Sequence, residues 1–275
     1  MSIASINPAT GEELKIFEEA SQEEIDEALA AAASAFSEWR RLSFTDRAGF
    51  MTRAAADLRA NARRYAELIT LEMGKPIRQA VAEIEKCAWN CEYFAENAEH
   101  FLADEPAPSD AAESYVRFQP LGLVLAVIPW NFPFWQLFRF AAPGLMAGNV
   151  AILKHASNVP QCSLAIEEVF RNSGVPEGVF KSLLVSGEHA QALIDDPRVV
   201  AVTLTGSDLT GSKIAEVSGR ALKPSVLELG GSDPFIVLED ADIPAAASVA
   251  ARSRNQNAGQ SCIAAKRFIV AEPVA

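Results

Sequence analysis

Two spacings of apolar residues divide the chain, and the change falls near Leu121. Upstream, apolar positions recur every three to four residues, the period that gathers them on one face of a helix. Ser21 with Glu24 three positions later predicts a capping box, followed by an Ala-rich amphipathic helix to about Trp39. A second helix is predicted over residues 45–73, stopped by Gly74 with Pro76 beyond it, and a third over residues 77–101. EPAPSDAAES then reads as a polar loop, and residues 115–119 alternate like a short exposed strand. The first hundred residues are thus expected to be helical and to carry no visible chemistry.

Downstream of Leu121 the pattern shortens. LGLVLAVIP, NVAILK, VFKSLLV, VVAVTLTG and PSVLELGG are brief runs rich in β-branched residues, with helical spacing over 161–172, 188–195 and 208–218. Apolar strands in alternation with helices predict an α/β fold: a Rossmann-like open parallel sheet with helices on both faces. In such a sheet ligands sit beyond the carboxyl ends of the strands, so the residues there are the candidates for chemistry.

The composition is globular, with 49% hydrophobic and 22% charged residues, and 275 residues suffice to bury a sizeable core. A formal net charge of −12 argues against nucleic acid or an anionic membrane as partner, since both attract clustered Lys and Arg. No basic segment followed by an apolar run opens the chain, and its most apolar stretch, residues 121–138, is broken by Pro129, Asn131 and Pro133. A soluble, cytoplasmic protein is expected. The cysteines at 87, 91, 162 and 262 form no C-x-x-C pair and no disulfide framework. Cys87 and Cys91, four apart on a predicted helix, are expected to be core thiols rather than metal ligands.

Four places near strand ends stand out. In PWNFPFWQLFR two prolines fix the backbone around Asn131, so its amide is either a rigid donor to a developing oxyanion or the cap of a Pro-rich turn. Lys154 closes NVAILK with Ser157 three residues on, within reach of a nucleotide's hydroxyls or phosphate, although strands often end in Lys. In LTGSDLTG, Thr205, Gly206 and Ser207 open a helix with Gly211 one turn in. Its first amides favour an anion such as a pyrophosphate, though a plain strand-turn-helix looks similar. The fourth place is a pair. Glu228, in the apolar run VLELGG, is expected to be desolvated and so suited to a general base. Cys262, in NAGQSCIAAKR, is either a buried structural thiol or a reactive thiolate helped by Lys266 and Arg267.

Taken in order, PWNFP, LKHAS, TGSDLTG, LELGGSDPFIV and GQSC resemble the motifs of the NAD(P)-dependent aldehyde dehydrogenases, and the likeness runs from INPATGE to the last residues. Within that superfamily ILKHA, LELGGSDPFIVL and AAKRFI are most similar to the bacterial branch that acts on succinate semialdehyde. The resemblance implies a dinucleotide-binding domain with a helical part at 1–106 and a core at 121–247, a projecting oligomerisation strand at 107–120, and the start of a catalytic domain at 248–275. It implies Cys262 as nucleophile, Asn131 and the Cys262 amide as oxyanion donors, and Glu228 as the base that activates water against a thioester. It assigns Trp130, Lys154, Ser157, Thr205, Gly206, Ser207, Gly211, Leu229 and Gly230 to the cofactor. Arg139, eight residues after Asn131, is assigned to the substrate's distal carboxylate.

Two positions sharpen what the resemblance implies. Gln256, six residues before Cys262, departs from relatives that carry a second carboxylate-binding Arg there. Ser157 stands where NAD-specific members carry Glu, so NADP is expected as cofactor, with NAD as the alternative. A homodimer or homotetramer is implied for the whole protein. Only 13 residues follow Cys262, whereas the family continues through the rest of a catalytic domain. The chain is therefore expected to be a fragment with little turnover of its own. Oxidation of uncharged aldehydes, or dinucleotide binding without catalysis, are the alternatives.

Overall fold

The computed structural model describes residues 2–275. It opens, against the helical expectation, with an antiparallel ribbon of β1 (Ser2–Ile6) and β2 (Glu13–Glu18). Ile3 and Ser5 point inward while Ser2 and Ile6 face out, a period of two in a segment too short for periodicity to separate strand from helix. α1 (Gln22–Trp39) begins at the predicted capping box: Glu24 N–H donates to Ser21 Oγ at 3.2 Å and Ser21 N–H to Glu24 Oε2 at 2.7 Å. The single helix expected over 45–73 is two, α2 (Phe44–Ala60) and α3 (Ala62–Met73). The break is Asn61, whose side-chain amide donates back to Asp57 O at 3.1 Å and competes with the helical ladder. α3 stops at the left-handed Gly74, and α4 spans Ile77–Phe101, as predicted. The strand expected at 115–119 is shorter, with β3 (Glu105–Pro106) and β4 (Tyr115–Val116) forming a two-residue ladder.

The central sheet follows as β5 (Leu123–Ile128), α5 (Trp135–Met146), β6 (Val150–His155), α6 (Pro160–Asn172), β7 (Phe180–Leu183), α7 (His189–Asp195), β8 (Val199–Thr205), α8 (Asp208–Arg220) and β9 (Ser225–Glu228). All five strands are parallel, in the order β7-β6-β5-β8-β9. The chain therefore grows outward from β5 in one direction, then returns and grows in the other. Right-handed crossovers place α5 and α6 on one face and α8 on the other. The reversal leaves a crevice at the carboxyl ends of β5 and β8, where open α/β sheets bind ligands. β5 and β6 are buried along nearly their whole length, whereas β9 is an exposed edge. α5 escaped the sequence reading because Pro129 and Pro133 precede it and Pro143 lies inside it. It forms because Leu137, Phe138, Ala141, Ala142 and Leu145 bury one face. A file of rings, Tyr65–Phe134–Phe138–Phe170–Phe180, ties α3, α5, α6 and β7 at centroid spacings of 5.4, 6.4, 5.3 and 4.5 Å.

Beyond the sheet, β10 (Asp233–Val237) and β11 (Ala265–Val270) pair with each other in parallel, with α9 (Ile243–Asn255) between them. Among the described residues no helix is long and apolar enough to cross a membrane.

Candidate active site

The carboxyl edge of the sheet carries the predicted residues. Asn131 follows β5, Lys154 precedes the last residue of β6, Thr205 ends β8 and Glu228 ends β9. Thr205 and Glu228 are register partners. Four helices start along this edge; α7 has only seven residues, and the unpaired first amides of the other three could each attract an anion. Two are already occupied by carboxylates from the helical layer. Glu83 of α4 accepts from Phe134 N–H and Trp135 N–H at 2.9 Å each, at the start of α5. Glu72 of α3 accepts from Gln161 N–H at 2.9 Å and Cys162 N–H at 2.8 Å, at the start of α6, and from Ser5 Oγ at 2.7 Å. The third, α8, is capped only by its own exposed Ser207, whose Oγ accepts from Thr210 N–H at 3.3 Å. Of the three, α8 is the one open to an external anion, and it borders the crevice.

Four thiols reduce to one candidate. Cys87, Cys91 and Cys162 are buried, and desolvation pushes their thiols up, away from the thiolate. Cys262 is only half-buried. It follows a turn in which Asn257 and Ala258 hold left-handed backbone, φ 56° and 53°, a strained conformation for residues with a Cβ. That turn is pinned to Asn131 from both sides: Asn131 Nδ2 donates to Gln260 O at 2.9 Å, and Asn257 Nδ2 donates to Asn131 O at 2.7 Å. Asn257 N–H in turn donates to Gln79 Oε1 of α4 at 2.8 Å. A cavity of about 300 Å³ opens on Cys262, and its wall includes Lys75, Gln79, Glu83, Gln136, Arg139 and Asn257. The helical layer was expected to carry no chemistry; four of its polar side chains, Lys75, Gln79, Glu83 and Lys86, line the thiol's cavity. Gln136 Oε1, Asn257 Oδ1 and Ser261 Oγ, in the same wall, are buried with no partner in the protein, which equips it for a polar guest.

Glu228 does not meet the expectation of desolvation. Its side chain is 55% exposed, because β9 is the sheet edge, and its Oε2 lies 3.3 Å from Arg139 Nη1. Arg139 Nη2 also donates to Thr205 Oγ1 at 3.1 Å, so one guanidinium spans β8 and β9. Glu228 lines a second cavity of about 610 Å³, which shares Gln136 and Arg139 with the thiol's cavity. Lys154 is buried, and its Nζ donates to His155 O at 2.9 Å; burial pushes its ammonium down toward neutrality. Ser157 and Trp130 are exposed beside these strand ends. Gly206 is half-buried in the turn between β8 and α8. Gly211 is buried, and a Cβ there would stand 2.4 Å from Leu229 Cδ2, so a glycine is what lets Leu229 lie across α8. Gly230 follows, against the Asp208 carboxylate.

His155 fastens the Asn131 loop from below. Ala156 N–H donates to its Nδ1 at 2.8 Å, so Nε2 carries the proton and donates to Pro133 O at 3.0 Å. Burial lowers its pKa from 6.5 to about 4. As pH falls through that window the unfolded chain takes up a proton that the folded chain refuses, so stability declines from about pH 6.5 and levels off below about 4. The loss is on the order of 3 kcal/mol. Urea midpoints at pH 7 and pH 4 should therefore differ more for the native chain than for His155→Gln; equal differences would mean that His155 is not the group responsible.

A Rossmann-like sheet with an open helix terminus at its crevice, beside a cavity holding the accessible thiol, defines a dinucleotide-type α/β domain that bears a cysteine site. The chain belongs to the aldehyde dehydrogenase family, whose pattern matches residues 1–275. It is 55% identical over 273 residues to the NADP(+) succinate-semialdehyde dehydrogenase 1 of Mycobacterium tuberculosis, covering 98% of this chain and 60% of that one. Among solved structures it is similar to Gox0499, with a TM-score of 0.98 and 40% identity over all of this chain and 60% of that one. It is also similar to the succinic semialdehyde dehydrogenase of Streptococcus pyogenes in complex with NADP+, with a TM-score of 0.95 and 38% identity over 98% of this chain and 59% of that one. The chain thus spans about 60% of the length of the relatives it matches.

Proposed function

We propose that the whole protein oxidises succinate semialdehyde to succinate with NADP, and that this chain carries the nucleophile and the cofactor site. The observation that carries the reading is the Asn131–Cys262 arrangement: an amide fixed at 2.9 Å on Gln260 O, two residues from the half-buried thiol that lines a cavity. The Asn131 amide has two N–H donors. One holds it on Gln260 O, and the other is free for an oxyanion. The Cys262 thiolate adds to the aldehyde carbon, and the Asn131 amide and Cys262 N–H hold the oxyanion. Loss of hydride from that carbon leaves a thioester on Cys262. Glu228 takes a proton from water as the water adds to the thioester, and the acid departs as the thiolate re-forms.

The residues present fit a nicotinamide dinucleotide, which when bound supplies the two-electron acceptor. Thr205, Gly206 and Ser207 offer the open helix terminus to its pyrophosphate, with Gly211, Leu229 and Gly230 shaping the floor. Lys154, Ser157 and Trp130 border the ribose end. A neutral hydroxyl at Ser157 tolerates a 2′-phosphate that a carboxylate would repel, which supports NADP. The exposed Tyr115, Val116 and Phe118 are consistent with a subunit contact in a homodimer or homotetramer. Oxidation of uncharged aldehydes is the second reading, favoured by the neutral amides Gln79, Gln136, Gln256 and Asn257 in the cavity wall.

The test uses a polypeptide of the relatives' full length that includes this chain. Turnover of succinate semialdehyde should favour NADP over NAD. Ser157→Glu should move the ratio of kcat/KM values toward NAD by about 10- to 100-fold through like-charge repulsion of the 2′-phosphate. An unmoved ratio would sink the cofactor assignment, and failure to oxidise any aldehyde would sink the activity.

A further inference from the structure

We propose that the buried Lys75–Glu83 pair is a positioning device that sets the Asn131 amide toward Cys262 by gripping the loop that carries it; this rests on the reading of Asn131 as oxyanion donor given above. Lys75 follows the cap of α3, and Glu83 lies in the second turn of α4. Their side chains are 1% and 2% exposed and are joined to each other. A buried pair of this kind adds little net stability, because desolvating two charges offsets their attraction, and apolar side chains of the same volume would pack as well. Its use must lie in what the charged atoms hold.

They hold the Asn131 loop. Glu83 Oε1 accepts both Phe134 N–H and Trp135 N–H, and Lys75 Nζ sits 3.9 Å from the centre of the Phe132 ring. Pro133 O is held by His155 and Asn131 O by Asn257. All five residues from Asn131 to Trp135 are therefore anchored, and the pair supplies three of the anchors. Lys75 pins Glu83 in one rotamer, so that a single carboxylate oxygen can serve two adjacent amides. Both side chains also line the cavity that contains Cys262, so the anchors and the thiol share one rigid wall. A shift of about 1 Å in such a donor costs on the order of 100-fold in rate.

The experiment is a double-mutant cycle in the full-length protein, with NADP-dependent oxidation of succinate semialdehyde as readout. Lys75→Met/Glu83→Leu should lower kcat about 100-fold, with the aldehyde KM and NADP Kd within about threefold. Asn131→Ala should lower kcat by about 10²- to 10³-fold. Adding the pair substitution to Asn131→Ala should then cost less than about threefold more, because the pair acts through Asn131. Lys75→Met/Glu83→Gln, which keeps a carbonyl acceptor for the two amides, should return kcat to within about tenfold of native and covers the case in which the leucine variant fails to fold. Native kcat in the pair variant beside an impaired Asn131→Ala would overturn the proposal alone. So would losses that multiply in the combined variant, or a glutamine variant as slow as Asn131→Ala. Native kcat in Asn131→Ala would remove the oxyanion reading and the proposal with it.

Discussion

Lys75→Met alone should lower the unfolding free energy by about 3–5 kcal/mol, because it leaves the Glu83 carboxylate buried without its counter-ion. Burial already pushes the Glu83 carboxyl up from its ordinary value, while Lys75 and the two backbone donors pull it back. Removing Lys75 frees the upward push. A carboxyl whose folded value is raised contributes stability that is present below its unfolded value and is lost as pH rises through the folded one. The destabilisation of Lys75→Met should therefore be small near pH 4 and grow toward neutral pH, the opposite trend to that of His155. Lys75→Met/Glu83→Leu removes both charges and leaves only the Phe134 and Trp135 amides unpaired, at about 1–3 kcal/mol each and with no rise toward neutral pH. Urea unfolding of the two variants at pH 4.5 and 7.5 reads this directly. A single variant as stable as the double at both pH values would show that Glu83 reaches water, and the dry-pair picture would be wrong.

The same buried acids mark where sequence reading stops. Local signals were legible. Ser21 with Glu24, and Gly74 with Pro76, placed helix ends, and the five short apolar runs became the five parallel strands. The order of motifs placed Asn131, Thr205, Glu228 and Cys262, because each is written within a few residues of a strand end or turn. What failed was either ambiguous in period or held across the fold. Asn61 splits one periodic run, and Pro143 disguises a helix that burial makes worthwhile. Glu83 meets its amide partners 51 residues away in sequence, and Glu72 meets Cys162 at a separation of 90. A signal for Glu83 was nonetheless present: it sits on the α4 face that buries Ala80, Ile84 and Cys87, where a carboxylate without a partner would be costly. Glu228 misled in the opposite sense. Its apolar run suggested burial, yet Val226 is 62% exposed because β9 has no neighbour beyond it in the sheet. An apolar pattern records what a strand can bury, and the number of covered faces is a tertiary property.

Arg139→Ala should lower kcat/KM for a carboxylate-tailed aldehyde by about 10²-fold, the worth of a charge-assisted pair of hydrogen bonds, while an uncharged aldehyde of equal length loses less than about threefold. The competing role is to hold Glu228, and magnitudes separate the two. The Arg139–Glu228 contact spans 3.3 Å between side chains 37% and 55% exposed, so solvent screens it to at most about 1 kcal/mol. Arg139 has five N–H donors and uses two, on Glu228 and Thr205. A carboxylate that enters the cavity of about 300 Å³ beside Cys262 meets the remaining donors in a less hydrated setting, where the pairing is stronger. Releasing Glu228 costs every substrate the same small factor; losing the fork costs only the charged one. Arg139→Lys keeps the charge without the fork and should fall between the two. Equal losses on both aldehydes would instead make Arg139 the keeper of Glu228, and the neutral-aldehyde reading would take its place.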